Sequence, residues 1–268
     1  MKKKIFSKQE TKDMIYKYNN GFSLAYIAKI YNCDRHIISK WLNDKVDKKN
    51  NNRTYFLNED YFQNIDDPNK AYWIGFIAAD GCIHFDSRGV GTLLIRSTPK
   101  DKNHLQNFLK DIGSNSKIKS GINSGFGKGK TYCKISVYST KLCNDLMKYG
   151  IVPKKSLILK PPVNIPDKYL IDWIRGLLDG DGSFYETSNQ MFCLRFMGTK
   201  EVIEWIHSYL GFDSKIFKEK RCENSYYIRV TGTQKTFNQA CKIYYNEDIR
   251  CLERKYKTFI LLQSRLRK

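Results

Sequence analysis

Lys70-Ala-Tyr-Trp-Ile-Gly-Phe-Ile-Ala-Ala-Asp-Gly81 and Leu170-Ile-Asp-Trp-Ile-Arg-Gly-Leu-Leu-Asp-Gly-Asp-Gly182 are two versions of one segment. Gly75 matches Gly176, Asp80 matches Asp181 and Gly81 matches Gly182, each pair 101 positions apart. The residues that follow also match in order. Strands are predicted from Cys82 and Ser183, then over 92–97 and 192–197, and a helix then begins after Thr98 or Thr199 and stops at Gly113 or Gly211. Two further strands follow in each copy, at 116–120 with 132–138 and at 214–218 with 226–231. A last helix leads to Pro153-Lys-Lys-Ser156 or to Glu253-Arg-Lys-Tyr256. The chain therefore reads as α+β, with two αββαββα repeats over 70–160 and 161–268. One copy alone leaves a sheet face bare, so the two are expected to pack as a pseudo-twofold pair.

The quoted segments also say how the copies meet. Gly75 and Ala79 are four apart on one helix, Gly176 and Gly180 on the other, and residues four apart share a face. Small residues at that spacing let two backbones approach closely and bring the helix C-termini side by side. Asp80 and Asp181 stand at those ends, where the helix dipole is already negative. A single Asp-Gly there reads as an ordinary helix stop. Two converging carboxylates repel unless a cation lies between them, and hard oxygen ligands suit Mg²⁺. Over a basic surface, that pairing points to phosphodiester hydrolysis.

The segments 73–81 and 174–182 resemble the two LAGLIDADG motifs of a homing endonuclease, and the order of elements over about 55–268 is similar to that family. Trp73-Ile74 and Ile174-Arg175 replace the Leu-Ala of the motif, while Ala79 and Gly180 keep the small residue before the acid. The resemblance implies a monomer that cuts both strands of a long asymmetric DNA site. Asp80 and Asp181 would each serve one strand, and two or three Mg²⁺ ions would cluster at the repeat interface. The backbone carbonyls of Ala79 and Gly180 would be additional metal ligands. A lysine beyond the final strand assists in this family, and Lys155 and Lys255 match that position, with solvated surface charge as their alternative reading. The family's sheets form a saddle in the DNA major groove. Strand alternation then turns Lys117, Lys119, Lys134, Ser136 and Tyr138 outward in the first copy. In the second it turns Ser183, Tyr185, Arg195, Tyr227, Arg229 and Thr231 outward.

Ahead of the repeats, residues 1–45 read as three short helices. Met14, Ile15 and Tyr18 form the inward face of the first, Leu24, Ile27, Ala28 and Tyr31 that of the second, and Ile37, Ile38, Trp41 and Leu42 that of the third. Ser23 and Asp34 are the expected caps, and Asn32-Cys33 the tight turn. The pattern is similar to resolvase-type helix-turn-helix domains, with Arg35, His36, Ser39 and Lys40 free to enter a major groove. A trihelical packing module is the plain alternative. Residues 46–69 read as a linker on the polarity of the Asp-Lys-Val-Asp-Lys-Lys-Asn-Asn-Asn-Arg-Thr run ending at Thr54.

Charge agrees with a polyanionic partner. The 268 residues carry 47 Lys and Arg against 27 Asp and Glu, a net +20. The excess is spread as +7 over 1–50, +5 over 51–150 and +8 over 151–268. With 41% hydrophobic and 14% aromatic residues this is a folded basic protein, and double-stranded DNA is the expected partner. The longest apolar run is the seven residues 73–79, too short for a membrane span, and Met1-Lys-Lys-Lys is not followed by a signal-peptide core. Eight scattered cysteines without a CxxC pair, and four distant histidines, give no zinc spacing and suit a reducing cytoplasm. Lys, Asn and Ile make up 82 residues, which fits an AT-rich bacterium or phage. The stretch 121–130 departs from a Walker loop in its spacing and in Gly129, so it is read as a basic hairpin tip. Without a terminal Asn-Cys or Asn-Ser junction an intein is not expected. An RNA-binding intron maturase, or a transcription regulator on the same scaffold, remain the other readings; the regulator would be expected to lack the acids.

Overall fold

The computed structural model describes residues 5–19, 24–43, 45–46, 55–124, 128–220 and 222–267. The chain divides into two compact units, Met1–Asn58 with Gly113–Ser116, and Glu59–Ile112 with Lys117–Lys268.

In the first unit, α1 (Lys8–Asn19) opens on a reciprocal capping box. The Glu10 amide donates to Ser7 Oγ at 3.1 Å, and the Ser7 amide to Glu10 Oε2 at 2.7 Å. Helix α2 (Leu24–Ile30) turns through Asn32, whose left-handed φ of 45° asparagine tolerates well, into α3 (Arg35–Leu42). Asp34 caps α3 by accepting from the His36 amide at 2.8 Å. The expected cap Ser23, like 125–127 of the hairpin tip, lies outside the described residues. Met14, Tyr18, Ile27, Ala28, Ile38 and Leu42 form the core as read, joined by Phe6, which the periodicity did not include.

In the second unit, the first repeat runs α4 (Pro68–Asp80), β1 (Gly81–Phe85), β2 (Gly91–Ser97), α5 (Lys102–Asp111), β3 (Lys119–Ile122), β4 (Thr131–Tyr138) and α6 (Thr140–Lys148). The second runs α7 (Leu170–Asp181), β5 (Ser183–Glu186), β6 (Phe192–Gly198), α8 (Lys200–Leu210), β7 (Ile216–Lys218), β8 (Tyr226–Thr231) and α9 (Thr233–Ile243). The fold is α+β, two αββαββα units, each with a four-stranded antiparallel sheet, in the orders β1-β2-β4-β3 and β5-β6-β8-β7. The inner face of the first sheet buries Leu93, Ile95, Ile135 and Val137, with Leu105 and Phe108 of α5 also buried. The second buries Leu194, Phe196 and Ile228, with Val202, Ile203 and Ile206 of α8.

Three details differ from the sequence reading. The first copy's third strand starts at Lys119, so Lys117 precedes it rather than lying in a strand. The predicted linker ends earlier, because Phe62 and Ile65 are buried in the second unit and the Tyr149 hydroxyl donates to the Gln63 carbonyl at 3.2 Å. A further helix, α10 (Glu253–Leu266), follows α9 and buries Lys255, Phe259 and Leu262, where a single last helix was expected.

Helices α4 and α7 are packed backbone to backbone. A Cβ on Gly75 would come within 2.0 Å of the Trp173 carbonyl oxygen, and one on Gly176 within 2.0 Å of that of Tyr72. A Cβ on Gly180 would fall 2.2 Å from Cβ of Ala79, so the contact reaches the helix ends. Because both helices are enclosed, α4 is apolar almost all round, with Ala71 through Ala78 buried.

Candidate active site and nucleic-acid interface

Helix α4 passes directly into β1, and α7 into β5 through Gly182 alone. The Gly81 amide donates back to the Ile77 carbonyl, and the Gly182 amide to that of Leu178 at 2.9 Å. A Cβ at Gly81 would sit 2.6 Å from Ile77 Cγ2, and one at Gly182 2.5 Å from Leu178 Cδ1, which is why glycine follows each acid. Asp80 and Asp181 are thereby fixed at the adjoining C-termini of α4 and α7.

Their electrostatics are those of two acids held close together beside two lysines. Burial raises the Asp80 carboxyl, the neighbouring Asp181 charge raises it further, and it is pushed up to about 7 although Lys255 and Lys155 pull it down. Asp181 is an exposed residue, yet desolvation by the surrounding protein also pushes its carboxyl up, against the pull of Lys155 and Lys255. Among the described residues, no group of three or more His, Cys, Asp or Glu side chains forms a metal cage. The donor set offered is two carboxylates beside helix-end carbonyls, all hard oxygen, which fits Mg²⁺ completed by water and phosphate oxygens.

Lys155 and Lys255 are not solvated surface charges. Lys155 is 5% exposed and Lys255 1%. Lys155 Nζ donates to the Gly81 carbonyl at 2.6 Å. Lys255 Nζ donates to the carbonyls of Leu178, Asp179 (2.9 Å) and Gly182 (2.7 Å). Both lysines therefore plug into the negative ends of the motif helices, where a cation is favoured, and leave the carbonyls of Ala79 and Gly180 to other partners. Burial depresses both ammonium groups, that of Lys255 to about 8.

Behind α7 lies a polar stripe that the motif reading passed over. Asp172, Arg175 and Asp179 are all buried, at positions held by Ala71, Ile74 and Ala78 in α4. Arg175 donates to the Arg250 carbonyl at 2.8 Å, to the Ile243 carbonyl at 3.0 Å, and to Asp172. Asp179 Oδ2 accepts from the Tyr72 hydroxyl at 2.8 Å and from the Leu252 amide at 2.6 Å. The signal was present: three charges at helical spacing inside an apolar run must be paired.

The sheet faces carry the strand residues as alternation predicted. Lys119 lies opposite Lys134, and Lys134 opposite Arg96, so three cations stand in register across β3, β4 and β2. Arg96 was missed by the sequence reading; its guanidinium lies 4.2 Å over the Tyr132 ring. In the second sheet Ser183 lies opposite Arg195, and Arg195 opposite Arg229. Arg195 sits 4.0 Å over Tyr227 and pairs with Glu219 at 3.2 Å. Tyr185, Arg229 and Thr231 are exposed, while Ser136 is half-buried. Like charges directly opposite each other destabilise a sheet, so these rows suit an anionic partner. In the first unit Arg35, His36, Ser39 and Lys40 are all exposed on α3. No helix among the described residues is long and apolar enough to cross a membrane.

No family model matches the chain, and no curated protein matches it in sequence. Solved structures do match its fold. One is the LAGLIDADG homing endonuclease I-GzeII in complex with its DNA target (TM-score 0.52, 15% identity, 74% of this chain and 89% of that one). Another is the meganuclease I-SmaMI bound to uncleavable DNA with a TTCT central four (TM-score 0.50, 15% identity, 74% of this chain and 90% of that one). At this identity the likeness is one of fold.

Proposed function

We propose that this chain is a site-specific, divalent-metal-dependent DNA endonuclease that cuts both strands of a long asymmetric duplex site as a monomer, in the cytoplasm of a bacterial or phage-infected cell. The observation that carries the reading is the convergence of Asp80 and Asp181 at the packed ends of α4 and α7, with Lys155 and Lys255 seated in the same helix ends. Likeness of fold to DNA-bound nucleases supports it. Asp80 and Asp181, with the carbonyls of Ala79 and Gly180, would hold two or three Mg²⁺ ions. Bound there, the ions supply positive charge to the attacking water, the phosphoryl oxygens and the departing oxygen.

In the hydrolysis a water oxygen bonds to phosphorus and the P–O3′ bond breaks with its electron pair on O3′. One water proton ends on O3′ and the other leaves with the new 5′-phosphate. Each acid would attend one strand, and the lysine ammonium groups would stabilise charge at the scissile phosphates. The outward rows Lys119–Lys134–Arg96 and Ser183–Arg195–Arg229, with Lys117, Tyr185 and Tyr227, would line a saddle against the major groove. Arg35, His36, Ser39 and Lys40 of α3 would read flanking sequence, and tethering two weak contacts raises their joint affinity.

The test is a randomised duplex library incubated with protein and Mg²⁺, with the broken ends sequenced. Paired cuts at one site are expected from the wild type. Asp80→Asn and Asp181→Asn should each lose at least about a hundredfold in double-strand cleavage, since metal-derived charge stabilisation is worth several kcal/mol, while still binding the duplex. Cleavage unchanged in both variants would remove the acids from the site. Binding without cuts by the wild type would leave a DNA-binding regulator, and preference for structured RNA would favour the maturase.

A further inference from the structure

The two sheets carry different chemistry at equivalent places. Arg96 of β2 corresponds to Met197 of β6, 101 positions on. In the first sheet Arg96 lies opposite Lys134, and Lys134 opposite Lys119, a row of three cations. In the second, Met197 lies opposite Tyr227, and Tyr227 opposite Phe217, a row of apolar and aromatic side chains. The adjoining row is exchanged in the other sense. Ser183, Arg195 and Arg229 stand where the first sheet has Cys82, Leu94 and Ser136. The cationic row is thus displaced between the repeats by two residues, or about 7 Å along the strand.

The Met197–Tyr227–Phe217 row is held in place. Strand β8 lies between β6 and β7, so Tyr227 has a neighbour on each flank. From β6 the Arg195 guanidinium lies 4.0 Å over its ring, and from β7 the Phe217 ring stacks on it at 5.2 Å and 19°. Arg195 Nη2 also reaches Met197 Sδ at 3.7 Å. Side chains fixed in this way lose little freedom on meeting a partner. Phe217 nevertheless remains 41% exposed. Cations surround it: Arg195 and Arg229 fill the next row, and Lys215 and Lys218 are exposed on the same edge segment. Charge is depleted from the core of a protein–protein interface, so an apolar row among cations suits a polyanion that has apolar features of its own. On the base edges of the major groove that feature is the C5-methyl group of thymine.

Resting on the nuclease reading, we propose that the Met197–Tyr227–Phe217 row reads thymine methyl groups. The half of the target that lies on the second sheet then requires thymine where it meets this row. The mirrored base pairs, which face Lys119, Lys134 and Arg96, carry no such requirement. Phe217, outermost on its edge strand, makes the principal contact.

The experiment enriches a randomised duplex library by binding to the full chain, with wild type and Phe217→Ala side by side, and tests the enriched sites for cutting in Mg²⁺. Labelled copies of the selected site are then titrated in EDTA with single thymines replaced by deoxyuridine, which removes only the C5-methyl. The wild type should select thymine at one or more fixed positions in one half and not at their mirror positions. Deoxyuridine at such a position should weaken binding about fourfold, the worth of one buried methyl, and at the remaining thymines by less than about twofold. Phe217→Ala should lose the thymine preference and bind the two bases alike there, whereas Phe217→Leu, which keeps an apolar tip, should retain it. A Phe217 that only braces β7 against β8 would lower the melting temperature of the alanine variant and leave the thymine-to-uracil ratio unmoved, which would overturn its assignment. Thymine and uracil bound alike by the wild type would overturn the proposal, whichever variants fold, while paired cuts at the selected site still upheld the nuclease. A selected site that is bound but never cut would overturn the nuclease reading instead, and the wild-type ratio of thymine to uracil would still decide the row.

Discussion

Asp80 is asked to be an anion in a place that resists anions. Burial and the adjacent Asp181 hold its carboxyl up to about 7, against an ordinary value of 3.8. Between those limits the folded chain keeps a proton that the unfolded chain has released, so this group lowers stability as pH rises from about 4 to 7. His104 works the other way. Burial holds its imidazole down to about 3 from 6.5, so its contribution to stability rises with pH across that window. The two slopes overlap in any melting curve, and a difference separates them. The melting temperature of Asp80→Asn minus that of wild type, without divalent ions, should be larger at pH 8 than at pH 4.5. Mg²⁺ at pH 8 should then raise the wild type more than the variant, since a ligand stabilises the state that binds it. A difference that does not vary with pH would mean that Asp80 is an ordinary solvated carboxylate.

At the scale of elements, the α4–α7 contact decides everything built on it, and its tolerance for added volume is small. With the Tyr72 carbonyl 2.0 Å from a Cβ on Gly176, Gly176→Ala must push the backbones apart. Overpacking of this kind costs about 3 kcal/mol, or about 10 °C in melting temperature for a domain this size. Gly198→Ala is the control, because its Cβ would meet Val202 at an ordinary 3.7 Å, and calorimetry on the pair should separate them clearly. This contact was legible in the sequence because it depends on what is missing, side chains at a four-residue interval, and on a second copy that excludes chance. The strand faces were legible for a similar reason, since alternation with a buried Ile135 or Ile228 leaves one choice of outward residues. Helix α10 was not, because its pattern merged with the end of the repeat, although it buries Phe259 and Leu262 beside Lys255. The burial of Lys155 and Lys255 was also hidden: a lysine's spacing from its acid says nothing about the carbonyls it will meet. Lys117, placed in a strand by alternation, precedes β3 because the strand begins only where Lys119 finds its partner Lys134.

The molecule as a whole spends its charge evenly, with +7, +5 and +8 in successive parts of the chain. An isolated basic tail would add affinity at one end only, whereas this distribution puts cations on α3 and on both sheets. In register, Lys119, Lys134 and Arg96 repel one another, and Arg195 faces Arg229 with Glu219 offsetting part of that charge; a phosphate backbone would relieve both rows. If the partner is the proposed duplex, counterion release would set how binding responds to salt. Six to ten phosphate contacts, a number such a surface can supply, would cost about 10³ to 10⁵ in affinity between 50 and 200 mM salt. The slope of log affinity against log salt, measured by titration of a labelled duplex, should therefore be steep. Lys40→Ala and Lys134→Ala should each reduce it by about one if their ammonium groups lie on phosphates. A residue that reads a base would instead change the preferred sequence and leave the slope nearly as it was, so the same titration sorts the exposed cations of both units into two kinds. A flat profile would mean that the +20 charge serves solubility alone, and that the basic rows on the sheets are not a binding face.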